Sequence, residues 1–408
     1  MKTQDMERLD RRLTEYLREL VSGMGRPERV RAMCNYVLGL LLDGERKSMQ
    51  PMAARLARDP SEAEALRQSM QQCVAYAEWD DRELFGAVAR MVDSEMDGIS
   101  AWVIDDTGFP KKGVHSVGVA RQYSGTLGRT ENCQVATSLH LAATKQSAMI
   151  GMRLYLPKEW TDDPKRCAKV GVPSDIGFQT KWQTAIDLLD EADTAGVRRR
   201  PVLADAGYGD ITEFREELAV RKHHYVVGVG GKLVVWRPGS RPTPPKNVAG
   251  QKGRPRTGFL PGPIPPLSVR ALVISLGIGA AKRVTWRQGS KGRETSWFGA
   301  LRVRTAHGHS AGKPPGGPIW LLYQWPSDEK EPTKFWFSNC PAATSLKKLV
   351  SLAMLRWRVE RDYQELKSEI GLDHFEGRTW RGFHHHVTLC AVAHAFLALQ
   401  RASFSPSG

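Results

Sequence analysis

From Ile99 onward the chain alternates short aliphatic or β-branched runs with helical stretches, an order that suits a sheet with helices packed on it. Ile99-Ser-Ala-Trp-Val-Ile-Asp105 opens the alternation, and strand-like runs follow at 133–142 and 148–156. A helix over 180–195 leads into a strand at 200–205, and a second helix leads into His224-Tyr-Val-Val-Gly-Val. This order predicts an α/β fold with a mixed sheet flanked by helices.

Upstream the period changes. Leu13, Tyr16, Leu17 and Leu20 recur at helical steps, as do Val30, Met33, Val37 and Leu40, which predicts an all-helical N-terminal domain over 1–95. Helix starts are marked at Ser61, just after Pro60, and at Trp79-Asp-Asp. The α/β core would then occupy 96–235 and be interrupted over 236–344. That stretch begins with a Pro, Gly, Lys and Arg-rich loop at 239–266 and continues with β-like runs from Ser268, Arg283, Thr295, Ile319 and Thr333. It reads as an inserted antiparallel β domain. Helical periodicity resumes at Ser345, so that 345–408 completes the core and ends in a helix over 386–401.

Lys and Arg number 59 against 44 Asp and Glu, a formal charge of +15, which favours a polyanionic partner through counterion release. The six cysteines show neither Cys-x-x-Cys pairs nor zinc spacing and read as reduced thiols. There is no signal-like N-terminus and no apolar run long enough to span a bilayer, so a cytoplasmic, nucleoid-associated protein without a membrane partner is expected.

Three acidic residues stand in distinctive settings: Asp105 in Val-Ile-Asp-Asp-Thr-Gly, Asp205 in Val-Leu-Ala-Asp-Ala-Gly-Tyr-Gly, and Glu360 in Arg-Trp-Arg-Val-Glu. Two end strand-like runs and the third lies on a charged helix. Carboxylates converging from separate elements repel one another unless cations lie between them, and paired Mg²⁺ ions roughly 3.5–4 Å apart suit in-line attack at phosphorus. On the third helix Arg356, Glu360 and Lys367 fall on nearly one face, beside an apolar stripe of Leu352, Leu355, Val359, Leu366 and Ile370. This spacing suits a metal-binding acid between two phosphate-binding cations, although a surface helix laced with salt bridges would show it too.

Arg356, Glu360 and Lys367 match the Tyr-x-x-Arg-x-x-x-Glu-x-x-x-x-x-x-Lys signature of DDE-type transposases of bacterial insertion sequences, with Ala353 in place of the tyrosine. The stretch from Ile104-Asp-Asp-Thr-Gly to Gln122-Tyr-Ser-Gly resembles the first-acid region of that group, and Ala204-Asp-Ala-Gly-Tyr-Gly is similar to the second. The resemblance spans about 99–400. It implies a ribonuclease H-like core with a β-rich insertion before the last catalytic helix, and excision and joining at terminal inverted repeats. Asp105, Asp205 and Glu360 would bind two Mg²⁺ or Mn²⁺ ions, with Asp106 as the alternative first acid, since adjacent strand residues point to opposite faces. Partners would be the repeats and target DNA, and a homodimer would pair two ends. A plain metal-dependent nuclease and a decayed transposase that only binds DNA remain the alternatives.

Lys111, Lys112 and Arg121 near the first acid would contact phosphates, as would Arg356 and Lys367. Lys252, Arg254 and Arg256, inside the Pro/Gly-rich loop, resemble a minor-groove hook. Arg46, Lys47, Arg55 and Arg58 suit either a DNA-facing helix pair or a solvated basic face. Trp286, Trp297, Trp320, Trp325 and Trp336 read mainly as packing of the inserted sheet. His384-His-His386 cannot converge on one ion and reads as a pH-sensitive DNA-facing patch or a helix start.

Overall fold

The computed structural model describes residues 3–125, 128–245, 258–260, 263–289, 292–306 and 316–404. In chain order the helices are α1 (Thr3–Val21), α2 (Pro27–Leu41), α3 (Met49–Leu56), α4 (Ala63–Gln71) and α5 (Asp81–Glu95). Strands β1 (Ile99–Pro110), β2 (Ala120–Ser124), β3 (Arg129–Ala143) and β4 (Ser147–Leu154) follow, then α6 (Lys158–Thr161), α7 (Pro164–Lys169) and α8 (Lys181–Thr194). Next come β5 (Val202–Ala204), α9 (Ala206–Gly209), α10 (Thr212–Val220), β6 (Tyr225–Val229), β7 (Val234–Trp236), β8 (Leu267–Ser268) and α11 (Val269–Leu276). Strands β9 (Lys282–Gly289), β10 (Gly292–Thr305), β11 (Ile319–Gln324) and β12 (Lys334–Ser338) precede α12 (Leu346–Leu355), α13 (Trp357–Ser368) and α14 (Trp380–Phe404). The chain is mixed α/β, as its alternating pattern predicts, and it divides into two compact units: residues 1–199 with 357–408, and residues 200–356.

In the first unit β3 pairs antiparallel with β1, β2 and β4. Central to this unit is α14, whose residues from Phe383 to Leu399 are buried almost without interruption, so it is enclosed on nearly every side instead of along one stripe. The helices α2 and α5 and strand β4 pack around it. Polar anchors fix the contact: the Tyr16 hydroxyl donates to the Val392 carbonyl at 2.6 Å, and the Tyr36 hydroxyl lies 2.8 Å from His386 Nδ1. The start of α5 is capped by Asp80, which accepts from the Arg82 amide at 2.8 Å, and α8 begins with a Thr180/Gln183 capping box. Of the basic cluster in the N-terminal helices, Lys47 is turned inward. Its buried ammonium donates to the Leu40 and Leu42 carbonyls at the end of α2, so it caps a helix and does not face phosphate.

In the second unit β5 pairs parallel with β6, β6 pairs antiparallel with β12, and β11, β10, β7 and β8 follow in turn, with β9 on β10. Phe298 anchors the aromatic core, with Trp286 edge-on at 5.4 Å and Trp336 at 6.5 Å. Trp325 is buried and Trp320 donates to the Pro341 carbonyl beneath Arg302, which accounts for these indoles as packing. The run from Ser268, expected as a strand for its β-branched residues, is the helix α11. Ser268 caps it by accepting from the Ala271 amide at 3.1 Å, and Val269, Leu272 and Val273 share a buried helical face that outweighs strand propensity. Half of the 239–266 stretch, with Lys252, Arg254 and Arg256, lies outside the described residues.

Candidate active site

The register of β1 against β3 separates the two neighbouring acids. Asp105 stands opposite Ser138 and Asp106 opposite Thr137, and cross-strand partners share a face. On one face Thr137 Oγ1 donates to Asp106 at 3.0 Å and Lys181 at the start of α8 pairs with it at 2.5 Å. On the other face lies α13. Ser138 Oγ is 2.6 Å from the Tyr363 hydroxyl, and Tyr363 is close enough to Asp105 that burial and then the Asp105 charge raise its phenol well above the usual range. Glu360, exposed and three residues before Tyr363, is its neighbour along the helix surface. Within the first unit, therefore, the Asp105 and Glu360 positions flank one tyrosine.

Further along α13, Lys367 Nζ donates to the Gly108 carbonyl at 2.9 Å and lies 5.4 Å above the Phe109 ring. Burial lowers its pKa, as it does for Lys111, whose Nζ donates to the Phe375 carbonyl at 2.9 Å. Lys111 and Lys112 line an open cleft of about 670 Å³ with Arg46, His115 and Arg378. Arg121 is exposed on β2, and Arg356 forms the turn between α12 and α13.

In the second unit Asp205 follows the last residue of β5 and caps α9, accepting from the Tyr208 amide at 3.3 Å. Close packing requires glycine at the end of its motif and on the strand it meets. A Cβ on Gly209 would lie 1.9 Å from the Gly228 carbonyl oxygen on β6, and one on Gly228 would meet the Ala206 amide at 3.1 Å. The turn that carries the acid is thus pressed directly onto β6. Buried Arg215 holds it from behind by donating to the Gly209 carbonyl.

Asp105, Asp205 and Glu360 offer only carboxylate oxygens, the hard donors that Mg²⁺ and Mn²⁺ take. In donor chemistry the residues present fit such ions. Among the described residues no group of three or more His, Cys, Asp or Glu is placed to hold a metal, and the first and third acids belong to one unit while the second belongs to the other.

A family model described as DDE superfamily endonuclease matches residues 19–293. The chain belongs to this family. The matched stretch includes Asp105, Asp106 and Asp205 and ends before Glu360. The chain is also 25% identical over 200 residues to the probable transposase for insertion sequence element IS701 of Microchaete diplosiphon, a match covering 46% of this chain and 48% of that protein. It thus spans about half the length of the curated relative it matches. Among solved structures, a piggyBac transposase synaptic complex with hairpin DNA aligns over 94% of this chain and 74% of that one at 10% identity, with a TM-score of 0.39, a likeness too loose to define the fold.

Two features of the chain depart from or exceed its sequence reading. The triple histidine is neither a DNA-facing patch nor a helix start. α14 begins at Trp380, and all three imidazoles are buried: His384 Nε2 lies 3.4 Å from the Leu154 amide on β4, His385 is stacked on Trp79 at 3.7 Å, and His386 Nε2 is 3.1 Å from the Leu372 carbonyl. Ser138, His140, Asp362 and Tyr363 form a buried polar group beside the first acid. The alternation Ser138-Leu-His140 places both strand residues on one face, the signal that marks them in the sequence. Among the described residues no helix is long and apolar enough to cross a membrane.

Proposed function

We propose that this protein is a transposase that cuts DNA at the terminal inverted repeats of an insertion sequence and joins the ends to target DNA, with a ribonuclease H-like core and Asp105, Asp205 and Glu360 as its metal ligands. The observation that carries the reading is the placement of Asp105 on the sheet face covered by α13, beside the tyrosine that neighbours Glu360, in a chain of the DDE superfamily. Asp106, engaged by Lys181 and Thr137 on the opposite face, serves structure instead.

When bound, a pair of divalent ions supplies activation of a water or 3′-hydroxyl nucleophile and stabilisation of the leaving oxygen. The carboxylates of Asp105, Asp205 and Glu360 would hold those ions, and no protein nucleophile would take part. Arg356 and Lys367 orient the phosphates flanking the cut. Lys111, Lys112 and Arg121 extend the contact along the backbone, and Lys252, Arg254 and Arg256 extend it into the minor groove. Two copies of the chain pair two DNA ends, and the helices of 1–95 contribute to DNA binding.

The test is a cleavage and joining assay on labelled DNA carrying the sequences that flank the protein's own gene, with Mg²⁺ or Mn²⁺. The expected result is metal-dependent nicking at the ends followed by joined products. Cleavage without joining would make the protein a nuclease, and salt-sensitive binding without cutting would make it a DNA-binding relic.

A further inference from the structure

Behind the first acid lies a hydrogen-bonded chain that the chemistry of cutting does not itself require. Asp362 on α13 is 1% exposed, and its carboxylate accepts from His140 Nδ1 at 2.8 Å and from Ser147 Oγ at 2.5 Å. His140 Nε2 lies 2.8 Å from Ser138 Oγ, which lies 2.6 Å from the Tyr363 hydroxyl. The His140 and Tyr363 rings meet edge to face at 5.5 Å. The chain thus leaves α13 at Asp362, crosses two residues of β3, and returns to α13 at Tyr363, beside Asp105.

The cost of burying the Asp362 carboxylate is offset by the hydrogen bonds from His140 and Ser147. A buried carboxylate is costly unless every lone pair is met, so it tolerates one position of its partners only. The apolar contacts of α13, through Val359 and Leu366, carry no such direction. On those contacts alone the helix could slide or turn slightly against the sheet. Anchored at two successive residues, it can do neither.

We propose that the Asp362–His140–Ser138–Tyr363 chain fixes the register of α13 on β1 and β3, making Ser138 and Tyr363 positioning residues that set the separation of the Glu360 and Asp105 carboxylates. The inference rests on the metal-binding reading above. Mg²⁺ accepts little deviation from octahedral geometry, so a small shift of one ligand against another weakens its site.

Tyr363→Phe removes one hydroxyl and keeps the ring against His140. Mn²⁺ binding to the full-length protein, followed by the loss of the free-ion spin resonance signal, should weaken roughly 10-fold in this variant. The Mn²⁺ concentration giving half-maximal cleavage should rise alike. A merely structural role would reduce the active fraction and leave that concentration unmoved. Ser138→Ala should match Tyr363→Phe, carrying the test should the latter fail to fold, and the double variant should be no weaker than either. Wild-type Mn²⁺ affinity in a folded Tyr363→Phe or Ser138→Ala protein, with Glu360→Gln weakened, would overturn the inference alone. Unchanged Mn²⁺ binding in Glu360→Gln would overturn the metal-binding reading together with it.

Discussion

Asp105→Asn is expected to lower metal-dependent strand cleavage by about 10³-fold or more, whereas Asp106→Asn should keep cleavage within about tenfold of wild type. The two residues are adjacent in sequence, so the contrast tests facing and not neighbourhood. Asp105 is paired across the sheet with Ser138, on the α13 face, and if it is the proposed metal ligand its loss would remove several kcal/mol of transition-state stabilisation. Asp106 is held by Lys181 at 2.5 Å and by Thr137 at 3.0 Å on the other face. Its loss should show as reduced stability of about 1 kcal/mol or less, because the Lys181 side chain is 44% exposed and solvent screens the pair. Single-turnover cleavage and thermal unfolding of both variants check the contrast. Cleavage surviving in Asp105→Asn and vanishing in Asp106→Asn would exchange the roles of the two acids.

Acid should unfold the first unit well before its carboxylates are all protonated. Burial lowers His384 and His386 to about 4 from the ordinary 6.5, and burial lowers His385 and His394 as well. In the unfolded chain these imidazoles take up protons below about 6.5, whereas His384 and His386 in the folded state resist until about 4. The stability they contribute is therefore fully present above about pH 6.5 and is lost as pH falls from there towards 4. At about 3 kcal/mol for each of the two, the loss is comparable with the roughly 5–15 kcal/mol that holds a typical domain folded. Urea midpoints measured between pH 7.5 and 4.5 should fall steeply, and less steeply in His386→Gln. A flat profile would contradict the buried, neutral state of these histidines.

Periodicity made most of the architecture legible. The helical steps of Tyr16, Leu17 and Leu20 mark residues that are buried, and the capping pair at Thr180 and Gln183 starts α8 one residue from its expected position. Where local propensity and tertiary burial disagreed, local reading failed. Val269 and its neighbours favour a strand in isolation, but a serine cap and a three-to-four spacing make a helix. His384, His385 and His386 read as polar surface because imidazole is equally at home in water. Their burial follows from α14 being surrounded on all sides, which becomes visible only once α2, α5 and β4 are in place. For the candidate site, the three acids and their cations stand out by spacing. The Ser138–His140–Asp362 connection does not, because it joins residues more than 200 positions apart.

Asp205→Asn puts the central claim to its most direct test, since this acid comes from a different compact unit than Asp105 and Glu360 and has no part in the hydrogen-bonded chain behind α13. Single-turnover cleavage of end-bearing DNA should disappear in Asp205→Asn at saturating Mg²⁺, with DNA binding unchanged. Cleavage at the wild-type rate would contradict a shared metal site built from the three carboxylates.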